Sequence, residues 1–335
     1  MPQLVRIGTR ASALALTQTG HVADDLASLA DLTVETVRVR TDGDRLTGSL
    51  ASLGGTGVFV TALRDALLEG RCDVAVHSLK DLPTADAPGL TIAAVPPRED
   101  PRDALCARDG LTLAGLPAGA RVGTGAPRRA AQLRAARPDL DVVDIRGNVD
   151  TRLGRVAGST AGPGDLDAVV LARAGLARLG RLEAVTEVFD ADVLAPAPGQ
   201  GALAVEVRSD VDPAGELARA LRALDHRPTR LAVLAERALL ARLEAGCAAP
   251  VGAAAALGDD GVLRLEAVVV RPDGAASLRR EATAALTPVA DEDGRADDDA
   301  ARASDEAAAR ALGAEVADEL LAAGAAELAD LAASR

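Results

Sequence analysis

The sequence predicts an α/β protein: two similar α/β lobes facing one another across a cleft, followed by a smaller α+β domain. Three observations predict it. Apolar strands alternate with amphipathic helices through the first 83 residues, the order of a βαβ unit. The same pattern begins again near Arg102. From about His226 it gives way to a helix, paired strands and a last helix. With 335 residues the chain has the length of two or three domains.

Leu4 to Ile7 reads as a short strand. Gly8-Thr9-Arg10-Ala11-Ser12 then opens a helix whose spacing puts Ala15, Val22, Leu26 and Leu29 on its buried face. Val37 and Val39, alternating with Arg38 and Arg40, form a second strand. Gly54-Gly55-Thr56-Gly57 leads into a helix around Leu63 and Leu67 that Gly70 terminates. Asp73 to Val76 is a third strand, running out into His77-Ser78-Leu79-Lys80-Asp81-Leu82-Pro83.

In the second half Arg121-Val122-Gly123-Thr124 echoes Arg6-Ile7-Gly8-Thr9, and Asp167-Ala168-Val169-Val170 echoes Asp73-Val74-Ala75-Val76. Ligands of open α/β sheets sit at the carboxyl ends of the strands, so the two sets of strand ends predict a shared cleft. Ala202 to Val207 reads as a strand returning to the first lobe. The expected boundaries are 1–98 with 200–222, then 99–199, then 223–335. In the last domain Thr229 to Leu243 is a helix and Cys247 stands on a loop. Pro272-Asp273-Gly274 is a turn between strands, and Leu312, Val316 and Leu320 share one face of a final helix. The acid-rich stretch from Asp291 to Asp305 reads as a solvated loop.

Composition narrows the function. The chain is 48% hydrophobic with 1% aromatic residues, only Phe59 and Phe189, so Val, Leu, Ile and Ala must build the core. Stacking platforms for single-stranded nucleic acid need aromatic faces that this chain lacks. A net charge of −13 repels polyanions and acidic membrane surfaces, which argues against nucleic acid and membrane as partners. A single lysine, Lys80, stands among the 37 basic residues. An acidic, lysine-poor surface fits life at high salt, and a GC-rich genome trades Lys for Arg in the same direction. Cys72, Cys106 and Cys247 cannot all pair, and none has metal-ligand spacing with His21, His77 or His226, so no metal is expected. After Arg6 and Arg10 the apolar stretch Ala11 to Leu16 is too short for a signal-peptide core, no run approaches the length of a membrane span, and the expected location is the cytoplasm.

Arginines cluster at the predicted strand-to-helix turns: Arg10, the pair Arg128 and Arg129, Arg146, and Arg152 one helical turn later. Guanidinium forks and free helix N-termini select planar anions. A positive cleft in an acidic protein points to a small polyanionic ligand. Taken alone, Lys80 and Asp81 fit a capped turn with a solvated lysine as well as a reactive pair, and Cys247 fits an inert thiol.

Taken together, these segments resemble the hydroxymethylbilane synthase (porphobilinogen deaminase) family. The matching stretches are Ile7 to Ser12, Asp73 to Pro83, Arg98-Glu99-Asp100-Pro101-Arg102-Asp103, Arg146-Gly147-Asn148-Val149, Pro198-Gly199-Gln200-Gly201-Ala202 and Leu243-Glu244-Ala245-Gly246-Cys247, in the family's order. The resemblance implies two lobes of the periplasmic-binding-protein type (type II) and a third domain carrying a cysteine. It implies a dipyrromethane cofactor on Cys247 through a thioether. On it four porphobilinogen molecules are joined head to tail with loss of ammonia, and water releases the linear tetrapyrrole. The expected state is a monomer serving porphyrin and heme biosynthesis.

The family's chemistry accounts for the residue types. Ammonia leaving an aminomethylpyrrole generates a cationic azafulvene, so a fixed carboxylate is needed, and the resemblance gives that catalytic role to Asp81. Lys80 sits beside it, holding the carboxylate ionised and binding cofactor carboxylates. Every pyrrole carries an acetate and a propionate. The resemblance assigns those groups to Arg10, Arg128, Arg129, Arg146, Arg152 and Arg178, with Ser12, Thr124, Gly147 and Gln200 adding neutral contacts. The chain departs from the family pattern at Ser52 and Thr56, where lysines are common, and at Gly125-Ala126-Pro127, where Ser-Ser-Leu is usual. A non-catalytic solute receptor would share the architecture and need neither Cys247 nor Asp81. A nucleotide enzyme using Gly54 to Gly57 would need a Lys-Ser/Thr ending that Val58 and Phe59 replace.

Overall fold

The structure is a computed structural model and describes residues 2–39, 57–245, 249–286, 299–329 and 331. Cys247, Ser52, Thr56, Gly54 to Thr56 of the glycine loop, and the first part of the acidic stretch lie outside the described residues. The chain divides into two compact units, 1–99 with 201–230, and 100–200 with 231–335.

The first unit opens with β1 (Gln3–Thr9), α1 (Ala13–Leu29), β2 (Leu32–Arg38), α2 (Gly57–Leu68), β3 (Val74–Ser78) and β4 (Leu90–Ala94). The second continues with β5 (Asp103–Ala107), β6 (Arg121–Thr124), α3 (Pro127–Ala136), β7 (Asp141–Asp144), α4 (Val149–Leu153), β8 (Ala168–Ala172), α5 (Arg173–Arg178) and β9 (Glu187–Val188). The chain then returns to the first unit as β10 (Leu203–Arg208) and α6 (Glu216–Leu224). Helix α7 (Arg227–Arg242) starts in the first unit and runs on into the second. There β11 (Val251–Leu257), β12 (Val262–Val270), β13 (Ser277–Ala285), α8 (Asp299–Ala322) and α9 (Ala325–Ala329) complete the chain.

The first sheet has the order β2-β1-β3-β10-β4, with β1, β2 and β3 parallel and β10 antiparallel to both of its neighbours. The second has the order β7-β6-β8-β5-β9, and β5 is again the antiparallel member in the fourth place. This repeat is the one the sequence echo predicts, and Ala202 to Val207 does return to the first sheet. Both sheets are covered on two faces, as parallel sheets must be. In the first, Val5, Ile7, Val76 and Val205 pack with Val22 and Leu26 of α1 and Leu217 and Leu221 of α6. Ala75 faces Leu63, Ala66 and Leu67 of α2 on the other side. In the second, Leu105, Val122 and Val170 pack with Leu133 of α3 and with Phe189, while Ala104, Val169 and Leu171 pack with Ile145 and Leu176. Alternate residues of one strand thus go to opposite layers, the period-two signature of a strand buried on both faces.

The third sheet is an antiparallel meander, β11-β12-β13, and its core gathers Leu231, Leu239, Val251, Leu265, Leu312, Val316 and Leu320. The turn predicted at Pro272-Asp273-Gly274 joins β12 to β13, and Leu312, Val316 and Leu320 are buried on α8. Among the described residues no helix is long and apolar enough to cross a membrane.

Three expectations need correction. Leu29 is 44% exposed and Ala15 only half-buried, whereas Gln18 and Thr19 are buried on α1. Those two polar side chains find partners: Thr19 donates to Thr9 Oγ1 at 2.8 Å and Gln18 donates to Ser78 Oγ at 3.0 Å. Hydrophobic spacing cannot anticipate such pairs. The second strand is Leu32–Arg38, so Val39 falls beyond it, and Arg40 lies outside the described residues. Finally, Asp299 to Asp305 is helical, the first turns of α8, not a loop. Acidic residues at a helix start are favoured by the helix dipole, and α8 begins on Asp299.

Candidate active site

In the first unit the predicted residues lie at the carboxyl ends of neighbouring strands. β1 pairs with β3 in parallel, Ile7 opposite Val74 and Gly8 opposite Ala75. Arg10 and Ser12 follow the end of β1, and Lys80 and Asp81 follow the end of β3. Ser12 caps α1, its hydroxyl accepting the Ala15 N–H at 3.3 Å. Lys80 and Asp81 occupy a single 3-10 turn, Leu79–Asp81, closed by Leu82 N–H donating to the Leu79 carbonyl at 3.1 Å. Leu79 is buried and anchors the turn, which leaves Lys80 and Asp81 half-buried at the sheet edge. Behind it, His77 is buried with its Nε2 3.2 Å from Glu206, and Arg64 of α2 grips the same carboxylate at 2.9 Å.

The second unit repeats the arrangement with arginines in place of the Lys-Asp pair. Thr124 ends β6 and is buried, its hydroxyl accepting the Ala126 N–H at 3.3 Å. Arg128 and Arg129 stand in the first turn of α3, behind Pro127, where the positive end of the helix dipole disfavours cations. Their placement depends on Asp103, the first residue of β5, whose carboxylate is 0% exposed. Asp103 Oδ1 accepts from Arg129 at 2.8 Å and from Gln200 at 2.7 Å, while Arg128 Nη2 lies 2.8 Å from Oδ2. Burial alone pushes this carboxyl up, but the two guanidiniums and the hydrogen bonds from Arg129 and Gln200 bring it down to about 2. Arg128 also donates to the Ala195 carbonyl, and Arg129 to Val170 O at 3.3 Å.

Positive charge exceeds negative here. Arg129 Nε is buried with no hydrogen-bond partner among the described residues. Arg152 is pulled below the usual guanidinium value, chiefly by burial and then by Arg129 and Arg146, with Asp144 opposing. Arg146 is exposed and bonds Asp144 at 3.0 Å, and Arg152 donates to Gly147 O at 2.8 Å. Gly147 has φ +107, the region glycine tolerates, and a Cβ there would also meet Thr151 at 2.8 Å. Arg178 ends α5 and is half-buried.

The structure therefore brings together, in the second unit, Thr124, Arg128, Arg129, Arg146, Gly147, Arg152 and Gln200. Asp103 lies in the family-matching stretch Arg98 to Asp103, but only its burial and its two arginines show what it holds. One family departure also finds a reason: a Cβ on Gly125 would lie 2.5 Å from the Ile145 carbonyl, so this backbone has no room for the usual serine.

Two family models match the chain. Residues 5–216 match the porphobilinogen deaminase, dipyromethane cofactor binding domain, and residues 230–322 match the porphobilinogen deaminase C-terminal domain. The chain belongs to the porphobilinogen deaminase family. A porphobilinogen deaminase of Leifsonia xyli subsp. xyli is 59% identical over 328 residues, 98% of this chain and 94% of that protein. One from Micrococcus luteus is 55% identical over 351 residues, 96% of this chain and 93% of that protein. Among solved structures, the methionine-binding protein MetQ aligns with a TM-score of 0.41 and 12% identity, over 67% of this chain and 91% of that one.

Proposed function

We propose that the protein is a hydroxymethylbilane synthase, a transferase that joins four porphobilinogen molecules head to tail, releasing one ammonia per molecule, and frees the linear tetrapyrrole with water. The observation that carries this reading beyond family membership is the arginine pair on α3. Two buried guanidiniums share one carboxylate, one keeps an unpartnered Nε, and Arg152 and Arg146 add to the positive field. Such a set fits a polycarboxylate, and each porphobilinogen ring carries an acetate and a propionate.

The dipyrromethane group fits the same donors, being a short run of such rings. Cys247 would hold it through a thioether, with Arg10, Ser12, Lys80, Asp81, Thr124, Arg128, Arg129, Arg146 and Gly147 as its neighbours. When bound it supplies the pyrrole carbon from which the product grows. Arg10, Ser12, Arg146, Arg152, Arg178 and Gln200 bind the incoming substrate's acids. Asp81 accepts the substrate pyrrole N–H and stabilises the positive charge that develops as ammonia leaves. Lys80, next in chain, supplies a cation for ring carboxylates. The reading divides the chain into domains 1–98 with 200–222, 99–199 and 223–335. It places the protein in the cytoplasm as a monomer, without nucleic-acid or membrane partners, and takes its lysine-poor acidity as salt adaptation.

Intact mass tests it. Protein expressed where porphobilinogen is available should exceed its sequence mass by two substrate-derived units, located by digestion on the peptide with Gly246 and Cys247. Denatured holoprotein should titrate only at Cys72 and Cys106, and Cys247→Ala should lose the added mass and the activity together. Active enzyme with an unmodified Cys247 overturns the assignment.

A further inference from the structure

Glu236, in the middle of α7, is a fully buried carboxylate with 0% exposure that the proposed chemistry does not use. Its two oxygens accept from two different segments of the second unit: Oε2 from the Gly199 N–H at 2.6 Å and Oε1 from the Ala255 N–H of β11 at 2.8 Å. The next residue after Gly199 is Gln200, which is itself wholly buried. Gln200 donates to the Pro101 carbonyl at 2.6 Å and to Asp103 at 2.7 Å, and its Oε1 accepts from Arg129 at 3.4 Å. A chain of short contacts thus runs from α7 to the carboxylate that holds both arginines. Around it the fit is tight. A Cβ on Gly252 would lie 2.8 Å from the Ala195 carbonyl, and Ala253 N–H donates to Pro196 O at 2.9 Å.

We propose that Glu236 is a positioning residue for anion binding: by fixing Gly199 it sets Gln200, and through Gln200 it sets the Asp103 carboxylate and the direction of the Arg129 guanidinium. A bare carboxylate is suited to this task, because its two oxygens accept from two separate backbone N–H groups, whereas an amide offers one accepting atom. Charge-assisted bonds to a buried anion are also stiffer than neutral ones, which limits drift along the relay. α7 ends at Arg242, five residues before Cys247, so the helix bearing the relay also leads into the attachment cysteine. The inference rests on the functional reading above.

Glu236→Gln keeps the volume but turns an NH2 toward one of the two N–H donors. In loaded enzyme KM for porphobilinogen should rise about tenfold while kcat stays within about twofold, and apoprotein should gain its two-unit mass more slowly at limiting porphobilinogen. The decisive readout is a double-mutant cycle: in an Asp103→Asn background the same substitution should add almost nothing to KM. Full additivity, or wild-type KM and loading rate, overturns the relay. Where the glutamine variant fails to fold, Glu236→Asp serves, keeping the charge at shorter reach, with an intermediate KM expected and a wild-type KM overturning the proposal. Should wild-type protein itself gain no mass and turn over no porphobilinogen, the functional reading fails instead, a result distinct from either.

Discussion

Glu206 on β10 and Asp103 on β5 occupy the same antiparallel place in two sheets of the same strand order. Both are buried carboxylates held by arginine, Glu206 by Arg64 and Asp103 by Arg128 and Arg129. They differ in depth along the ladder. Glu206 faces Ala75, the second residue of β3, so its partners lie over the sheet and tie α2 to it. Asp103 faces Ala172, the last residue of β8, so its partners stand at the carboxyl edge where α/β sheets bind ligands. A shift of a few residues along one strand thus separates a carboxylate that fastens a helix from one that holds two arginines at the strand's edge. The two edges also differ in composition: the first carries Arg10, Lys80 and the half-buried carboxylate of Asp81, and the second gathers arginines around the buried carboxylate of Asp103.

That division is broken most sharply at Asp81. Asp81→Asn keeps the shape and removes the charge, so kcat should fall by about a thousandfold or more while the protein still loads its two-unit mass and binds porphobilinogen. Near-normal turnover by the loaded variant would take the catalytic role away from the first edge. Replacing Arg129 or Arg152 by Leu should act on the other side of the division, stalling loading or elongation and raising KM. Wild-type kinetics in both would leave them a structural role only, holding Asp103 and the Gly147 loop.

The comparison between the two carboxylates is sharpened by matched isosteres. Asp103→Asn and Glu206→Gln each strip one partner from a buried ion pair, a loss of about 3–5 kcal/mol in such settings. Both should lower the melting temperature, but only Asp103→Asn should raise KM, because only its arginines stand at the ligand-binding edge. Equal KM in the two variants would mean that depth along the strand does not decide the role.

Much of this was legible in the sequence because function and fold coincide at strand ends. Gly8 to Ser12, His77 to Pro83 and Arg121 to Arg129 each carry a strand exit and its polar residues in one run, and the structure places all three at carboxyl edges. The misses have physical causes. β9 has two residues and β7 four, too short for a period to register. α6 carries a signal of its own, Leu217, Leu221 and Leu224 at helical spacing and all buried. Asp103, Glu206 and Glu236 are charged, and only tertiary neighbours reveal that each is buried and bonded.

Acid should expose the Asp103 pair next. Its folded value of about 2 lies below the ordinary aspartate value, so the pair's contribution is complete above about pH 4 and is lost as pH falls toward 2. Glu206 is also depressed, burial opposing and the hydrogen bonds from His77 and Arg64 prevailing, and it loses stability in the same direction. Chemical denaturation followed between pH 5 and 2 should show a shallower slope for Asp103→Asn than for wild type. Identical slopes would mean that the carboxylate is not held by its arginines.

The smallest effect concerns the net charge of the whole chain. A net charge of −13 repels itself, and salt screens that repulsion, so raising salt should stabilise the fold. Screening also weakens the many exposed Arg–Asp pairs, such as Arg271 with Asp273 and Arg137 with Asp139, but isolated surface pairs contribute little to begin with. The net outcome is a melting temperature that climbs by a few degrees from millimolar to molar potassium chloride. Glu206→Gln and Asp103→Asn should climb in parallel with wild type, since buried pairs are screened far less than surface charge. A flat curve for wild type would count against salt adaptation and leave base composition as the reason that Lys80 is the single lysine.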